Sequence, residues 1–223
     1  MTAVVTTLKT SEIVYPSADG EPVAETYDHV YAIFTTLVVL KQYLADRRAT
    51  VLANQFLYYA QGFPKLRVAP DVMVIFDVEP GGRDHYKTWE EGQVPKVIFE
   101  MTSPATKLED RDKKDLYEKL EVQEYWLFDP KGEWIPEKLQ GYRLRGDSYE
   151  LITDSRSEVL QLRLVVDKKL IGFYREDNGE KLLNVDEIAS ALKVLIQKRL
   201  EAEAQLDKKR QRADTESQRV AEL

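Results

Sequence analysis

The sequence predicts an α/β (α+β) fold, with a mixed central sheet flanked by helices, additional β pieces after it and a charged helix at the C-terminal end. Three observations predict it. Apolar residues recur at helical spacing over residues 25–47 and again over 109–121. Runs rich in β-formers occupy 55–60, 72–78, 97–101 and 124–129, bounded by glycine or proline. Residues beyond 185 are densely charged but keep an apolar recurrence of three and four.

Residues 1–22, with Pro16, Gly20 and Pro22 among polar residues, read as an irregular lead-in. In the first helix Val30, Ile33, Phe34, Leu37, Val38, Leu40 and Leu44 form the recurrent set, and residues 30–40 read as its buried stretch. Thr26 or Asp28 is the expected cap. Two strands follow at 55–60 and 72–78, separated by Gly62 and Pro64. Residues 79–95, with Gly81, Gly82 and Gly92 around Tyr86 and Trp89, read as a long loop holding at most one helical turn. A strand at 97–101 ends at Ser103 and Pro104, and the second helix over 109–121 carries Leu116, Tyr117 and Leu120. The strand at 124–129 is stopped by Pro130 and Gly132, and short β pieces run from Gly141 to Tyr174. Tyr125 and Trp126 read as core strand residues.

We therefore expect residues 1–185 to form one globular domain and 186–223 an amphipathic helical tail capped by Asp186. The heptad through Val185, Ile188, Leu192, Leu195, Arg199, Ala202, Leu206, Lys209, Ala213, Glu216, Val220 and Leu223 is interrupted by Arg199, Lys209 and Glu216. It fits either a coiled coil or packed helix, or a solvated one. No apolar run of the 223 residues reaches the roughly 20 that a membrane span needs. The N-terminus lacks the basic segment of a secretory signal, so the cytoplasm is the expected compartment. With no cysteine, disulfides and cysteine-bound zinc are excluded.

Chemistry concentrates in two carboxylates and a following lysine pair. Asp71 follows Pro70 at the start of one apolar strand, and Glu100 follows Val97, Ile98 and Phe99 in another, where an unpaired carboxylate is costly. Two such oxygen donors, joined by the backbone carbonyl of Met101, suit a hard divalent ion such as magnesium or manganese. With a lysine from the next helix, they are the minimum equipment for hydrolysing a phosphodiester. The formal charge of −7 opposes binding to nucleic acid. Residues 186–223 carry as many bases as acids, so the excess lies entirely in the globular part.

Four segments together resemble a known family. They are Tyr15-Pro-Ser-Ala-Asp-Gly-Glu-Pro-Val-Ala-Glu-Thr26 with His29, Ala69-Pro-Asp-Val72, Ile98-Phe-Glu-Met-Thr-Ser103, and the block from Lys113-Lys-Asp-Leu-Tyr117 to Glu124-Tyr-Trp-Leu-Phe-Asp-Pro130. From about Tyr15 to Tyr149 the chain resembles the bacterial restriction-endonuclease domain family, once a domain of unknown function, within the PD-(D/E)XK nuclease superfamily. The resemblance implies a restriction-endonuclease-like core and a metal-dependent endodeoxyribonuclease acting on DNA. It also implies a catalytic set of Asp71, Glu100, Lys113 and Glu25.

The superfamily pattern puts a lysine two residues after the glutamate, where this chain has Thr102. The resemblance implies that the lysine has moved to the following helix, where Lys113 stands four residues before Tyr117. Lys114 is the competing alignment. Glu25 is the helix-borne acid that the resemblance places near the metal, and His29 lies one turn on, either packing or meeting a phosphate or carboxylate. His85 has no evident partner. Tyr86 and Trp89 are the expected DNA-facing aromatic pair. A homo-oligomer, most simply a dimer, would present two sites to a duplex. The rival expectation is a non-catalytic scaffold of the same fold that binds nucleic acid or protein and assembles through its tail.

Overall fold

The structure is a computed structural model that describes residues 13–18, 20, 25–103 and 106–221. Parts of the expected lead-in and of the 15–26 motif, at 1–12, 19 and 21–24, lie outside the described residues, as do Pro104 and Leu223. The described residues fall into two compact units divided after Leu182.

The first unit opens with α1 (Tyr27–Tyr43), β1 (Ala49–Leu52), β2 (Leu57–Tyr58), β3 (Arg67–Val68), β4 (Val72–Phe76) and β5 (Tyr86–Lys87). It continues with α2 (Thr88–Glu91), β6 (Val97–Met101), α3 (Lys107–Lys119), β7 (Glu124–Phe128), β8 (Leu139–Arg145) and β9 (Ser148–Ile152). Four short strands close it: β10 (Arg156–Ser157), β11 (Leu162–Asp167), β12 (Leu170–Arg175) and β13 (Lys181–Leu182). The second unit contains α4 (Val185–Ala221).

A six-stranded sheet in the order β1-β4-β6-β7-β8-β9 forms the centre. Only β6 and β7 pair in parallel, Val97 against Glu124, and α3 is the crossover that such a pair requires. All other neighbours in this sheet are antiparallel, so the sheet is mixed. The runs Val-Met-Val-Ile of β4 and Val-Ile-Phe of β6 are continuous because both faces are covered. Alternate side chains divide between two cores. Val72, Val74, Phe99 and Trp126 pack with Ala32, Ile33, Val39 and Leu40 of α1. Met73, Ile75, Ile98 and Tyr125 pack with Tyr117 of α3 and with Tyr86.

Several expectations are corrected here. The strand foreseen at 55–60 contracts to β2, while β1 and β3 were not foreseen. α1 is not buried over all of residues 30–40, since Val30 and Phe34 are half exposed. Thr26 occupies its cap position without a side-chain cap hydrogen bond.

Glu124, on the α1 face of β7, ties this sheet to β10. It accepts hydrogen bonds from Arg143, from the Ser157 hydroxyl and from the Glu158 and Val159 amides. Beside it, Gly141 of β8 lies against the Trp126 ring, where an added Cβ would stand 2.5 Å from a ring carbon. Gly141→Ala is therefore expected to cost about 1–3 kcal/mol through overpacking, a fall in Tm of roughly 3–10 °C by thermal denaturation. Gly82→Ala, with nothing within 4 Å of the new Cβ, is the matched control and should leave Tm nearly unchanged.

The β2–β3 hairpin joins β5 in a three-stranded sheet. In the second unit the helix cap is Asn184, not Asp186. Asn184 Oδ1 accepts from the Glu187 amide while a Glu187 carboxylate oxygen accepts from the Asn184 amide, both at 3.0 Å, a reciprocal capping box. Ile188, Leu192, Leu195, Leu200 and Leu206 of α4 are exposed. The heptad side chains of Ala213, Glu216 and Val220 lie outside the described residues. Among the described residues no helix is long and apolar enough to cross a membrane.

Candidate functional site

Antiparallel pairing of β4 with β6 sets Val72 against Phe99, so the next step of the same register brings Asp71 opposite Glu100. Side chains alternate along strands, so Asp71 follows the face of Met73 and Glu100 that of Ile98. Both leave the sheet on the α3 side. The Met101 amide donates to Asp71 Oδ2 at 2.6 Å, tying the two strand ends together.

From above, α3 supplies the partners of Glu100. Lys113 Nζ lies 3.0 Å from Glu100 Oε2, and the Tyr117 hydroxyl donates to Glu100 Oε1 at 2.7 Å. Their spacing of four residues puts Lys113 and Tyr117 on one helix face. Lys113 also meets Glu109 at 3.1 Å. Lys114 points elsewhere, its ammonium 4.0 Å from the centroid of the Tyr142 ring.

His29, on α1, bridges two of the expected acids. Its Nε2 stands 3.5 Å from Asp71 Oδ2 and its Nδ1 3.6 Å from Glu25 Oε2. Glu25 precedes the first residue of α1, so it is not helix-borne, and it connects to Asp71 through the imidazole. Thr102 makes a different contribution from the lysine of the superfamily pattern. Its hydroxyl donates to buried Asp110, which also takes Thr106 Oγ1 at 3.2 Å, and this anchors the start of α3.

Among the described residues, Glu25, Asp71, Glu100, Glu109 and Asp110 line one cleft of about 470 Å³ and face only Lys113 and His29 as nitrogen bases. The electrostatics follow from this imbalance. Burial, and then the Asp71 carboxylate, push Glu100 up to about 8, and Lys113 and Tyr117 only partly offset them. For Lys113 burial acts downward, but the carboxylates of Glu100, Glu109 and Asp71 outweigh it and its pKa rises. His29 is likewise lowered by burial and raised further by Asp71, Glu25 and Glu100, with a net rise. Every direction says that the cleft is short of positive charge.

That shortage, and the oxygen donors, fit a divalent cation. Asp71 and Glu100 give the one or two carboxylates that magnesium usually takes alongside waters. Among the described residues no three His, Cys, Asp or Glu side chains converge as a ready-made metal cage, so Glu25 does not complete a three-acid set with Asp71 and Glu100.

Other expected site residues lie apart from this chemistry. Tyr86 is fully buried in β5, its hydroxyl donating to the Gln93 carbonyl, so it cannot face DNA as expected. Trp89 packs against Tyr15, with ring centroids 5.2 Å apart. Tyr125 and Trp126 are buried in β7. His85 meets Tyr58 edge to face at 5.6 Å. Tyr117 was the group least visible as a functional residue, and its only signal was the four-residue spacing from Lys113.

The family model for Uma2, described as putative restriction endonuclease, matches residues 8–170. Among solved structures, the chain is similar to a crystal structure of a putative nuclease belonging to DUF820 from Anabaena variabilis ATCC 29413. The two share 17% identity over 63% of this chain and 77% of that one, with a TM-score of 0.43. No curated protein matches the chain.

Proposed function

The chain belongs to the Uma2 family, and from that premise we propose that it is an endodeoxyribonuclease that hydrolyses phosphodiester bonds with magnesium or manganese. The observation that carries this reading is the meeting of Asp71 and Glu100 from adjacent strands with Lys113 from α3 in one acidic cleft. Asp71, Glu100 and the Met101 carbonyl are the proposed metal ligands, with Glu25 assisting from the cleft wall. When bound there, the ion polarises the phosphodiester and lowers the pKa of a bound water.

The chain's own residues do the rest. The Tyr117 hydroxyl and the Met101 amide hold the Glu100 and Asp71 carboxylates in place, so that neither has to reorient as substrate arrives. Lys113 orients the attacking water and puts a fixed positive charge where negative charge develops on the phosphorus oxygens. His29 keeps Glu25 and Asp71 together across the cleft. A second copy, paired through the exposed apolar positions of α4, would bring a second cleft for the other strand of a duplex.

Supercoiled-plasmid nicking by the purified full chain tests the reading. Nicking should require magnesium or manganese and stop with EDTA. Lys113→Ala should lower the rate at least about 100-fold, whereas Lys114→Ala should stay within about threefold of wild type. The reading fails if neither metal supports cleavage of duplex or single-stranded DNA and calorimetry detects no metal binding.

A further inference from the structure

We propose that the β2–β3 hairpin is a DNA-holding arm, with Arg67 and Lys65 on backbone phosphates and Phe63 inserted in the groove beyond them. The inference rests on reading the cleft as a site for DNA cleavage, and it names the surface that brings DNA there. It replaces the 79–95 loop, whose Tyr86 is buried.

Position comes first. Asn54 and Phe56 precede β2 and Ala69 follows β3, and all three line the cleft beside Asp71. The two roots of the hairpin are therefore part of the cleft wall.

Charge is the second observation. In a chain of net charge −7, the stretch from Arg47 to Pro70 contains no acidic residue. A cleft lined by carboxylates cannot hold a polyanion by itself, so cationic contacts have to lie outside it. Several cations elsewhere on the surface are committed to carboxylates: Arg83 to Glu91, Arg143 to Glu124 and Glu158, Lys181 to Asp167. Among the described residues no carboxylate lies within ion-pairing distance of Lys65 or Arg67.

The third observation is how these side chains are held. The Arg67 guanidinium lies 4.2 Å from the centroid of the Phe56 ring, so it is stacked on a wall residue of the cleft, and its Nη1 reaches the Pro64 carbonyl at 3.4 Å. Stacking leaves the in-plane N–H donors of an arginine free for phosphate. At the turn, Phe63 is 62% exposed and Leu66 43%, with Lys65 exposed between them. An exposed apolar wedge flanked by cations is a chemistry that enters a DNA groove or stacks on a base.

The arm is braced. The Tyr15 hydroxyl accepts from the Gly62 amide at 2.6 Å, the Tyr58 hydroxyl donates to the Pro16 carbonyl, and Tyr15 packs edge-on against Tyr58. DNA would meet a preformed projection.

Fluorescence anisotropy of a labelled duplex of about 25 base pairs, in EDTA and across 50–200 mM salt, tests the proposal without cleavage. The Lys65→Glu/Arg67→Glu double variant should bind at least tenfold more weakly, with a salt slope lower by about two. Phe63→Ala should lose several-fold in affinity at an unchanged slope. Arg163→Glu/Lys168→Glu, on the β10–β13 sheet, makes the same charge change elsewhere and should bind nearly as wild type. The proposal is overturned if the two double variants weaken equally, if neither weakens, or if the wild-type chain binds no duplex.

Manganese-dependent hydrolysis of bis(p-nitrophenyl) phosphate, a diester too small to span the arm, separates the two readings. Hairpin-dependent DNA binding without hydrolysis of this diester or of plasmid would sink the nuclease reading alone. Diester hydrolysis with hairpin-independent DNA binding would sink the arm alone.

Discussion

Asp71→Ala and Glu100→Ala are each expected to abolish the proposed metal-dependent plasmid nicking, by about three orders of magnitude or more. That factor corresponds to roughly 4 kcal/mol of transition-state stabilisation, which is what removing one of two carboxylates from a magnesium or manganese site takes away. The two variants differ in what else they disturb. Asp71→Ala frees the Met101 amide at the strand end, whereas Glu100→Ala leaves the partly buried Lys113 and the buried Tyr117 without their shared acceptor. Asp71→Asn removes the charge but retains an acceptor for Met101, and it should lose activity nearly as fully while melting like wild type. Calorimetric titration of manganese is the companion measurement. An Asp71→Asn enzyme that still nicks plasmid at a tenth of the wild-type rate would contradict the metal-ligand assignment.

Glu100→Gln should make the metal-free protein more resistant to alkaline pH than wild type. The Glu100 carboxyl is raised from an ordinary 4.5 to about 8 in the folded chain, so the folded state holds a proton there that the unfolded state has released. The corresponding stability is fully present below pH 4.5 and is lost as pH rises through about 8. A shift of that size is worth at most about 5 kcal/mol, and Gln, which is always neutral, escapes the loss. Thermal melts in EDTA should show wild type falling below Glu100→Gln by roughly 5–15 °C between pH 5 and pH 9. Magnesium should recover the loss in wild type only, because a cation that binds the ionised pair stabilises the folded state by mass action. Parallel melting curves for the two proteins across this range would show that Glu100 is not held protonated by its burial.

Much of the centre of this fold was legible because its strands are buried on both faces. Residues 97–101 and 124–128 stand out as apolar runs, and in the first of them Glu100 is the lone charge, which made it readable as a candidate site residue. Asp71 was legible from its place after Pro70. What escaped depends on partners distant in sequence. β1 has only four residues and becomes a strand through its pairing with β4. Tyr86 read as an exposed loop aromatic because glycines surround it, yet β5 pairs in parallel with β2, and nothing local encodes that contact. Glu25 missed the helix by two residues, the usual uncertainty of a helix end. The Asn184 cap had a signal in plain view, since Asn184-Val-Asp-Glu187 is a capping box, and the aspartate inside it drew attention instead. Lys113 and Lys114 could be separated only by helix phase, which turns one toward Glu100 and its neighbour onto Tyr142.

The crossover helix α3 is both the link between the two parallel strands and the source of Lys113 and Tyr117. Chain topology thereby makes the placement of the lysine depend on the pairing of those two strands. Without that pairing α3 would have no seat on the sheet, and Asp71 and Glu100 would lack Lys113 beside them. In the proposed reading the acids and the lysine therefore meet only where β7 lies beside β6, and the pairing of two central strands becomes a condition of the chemistry.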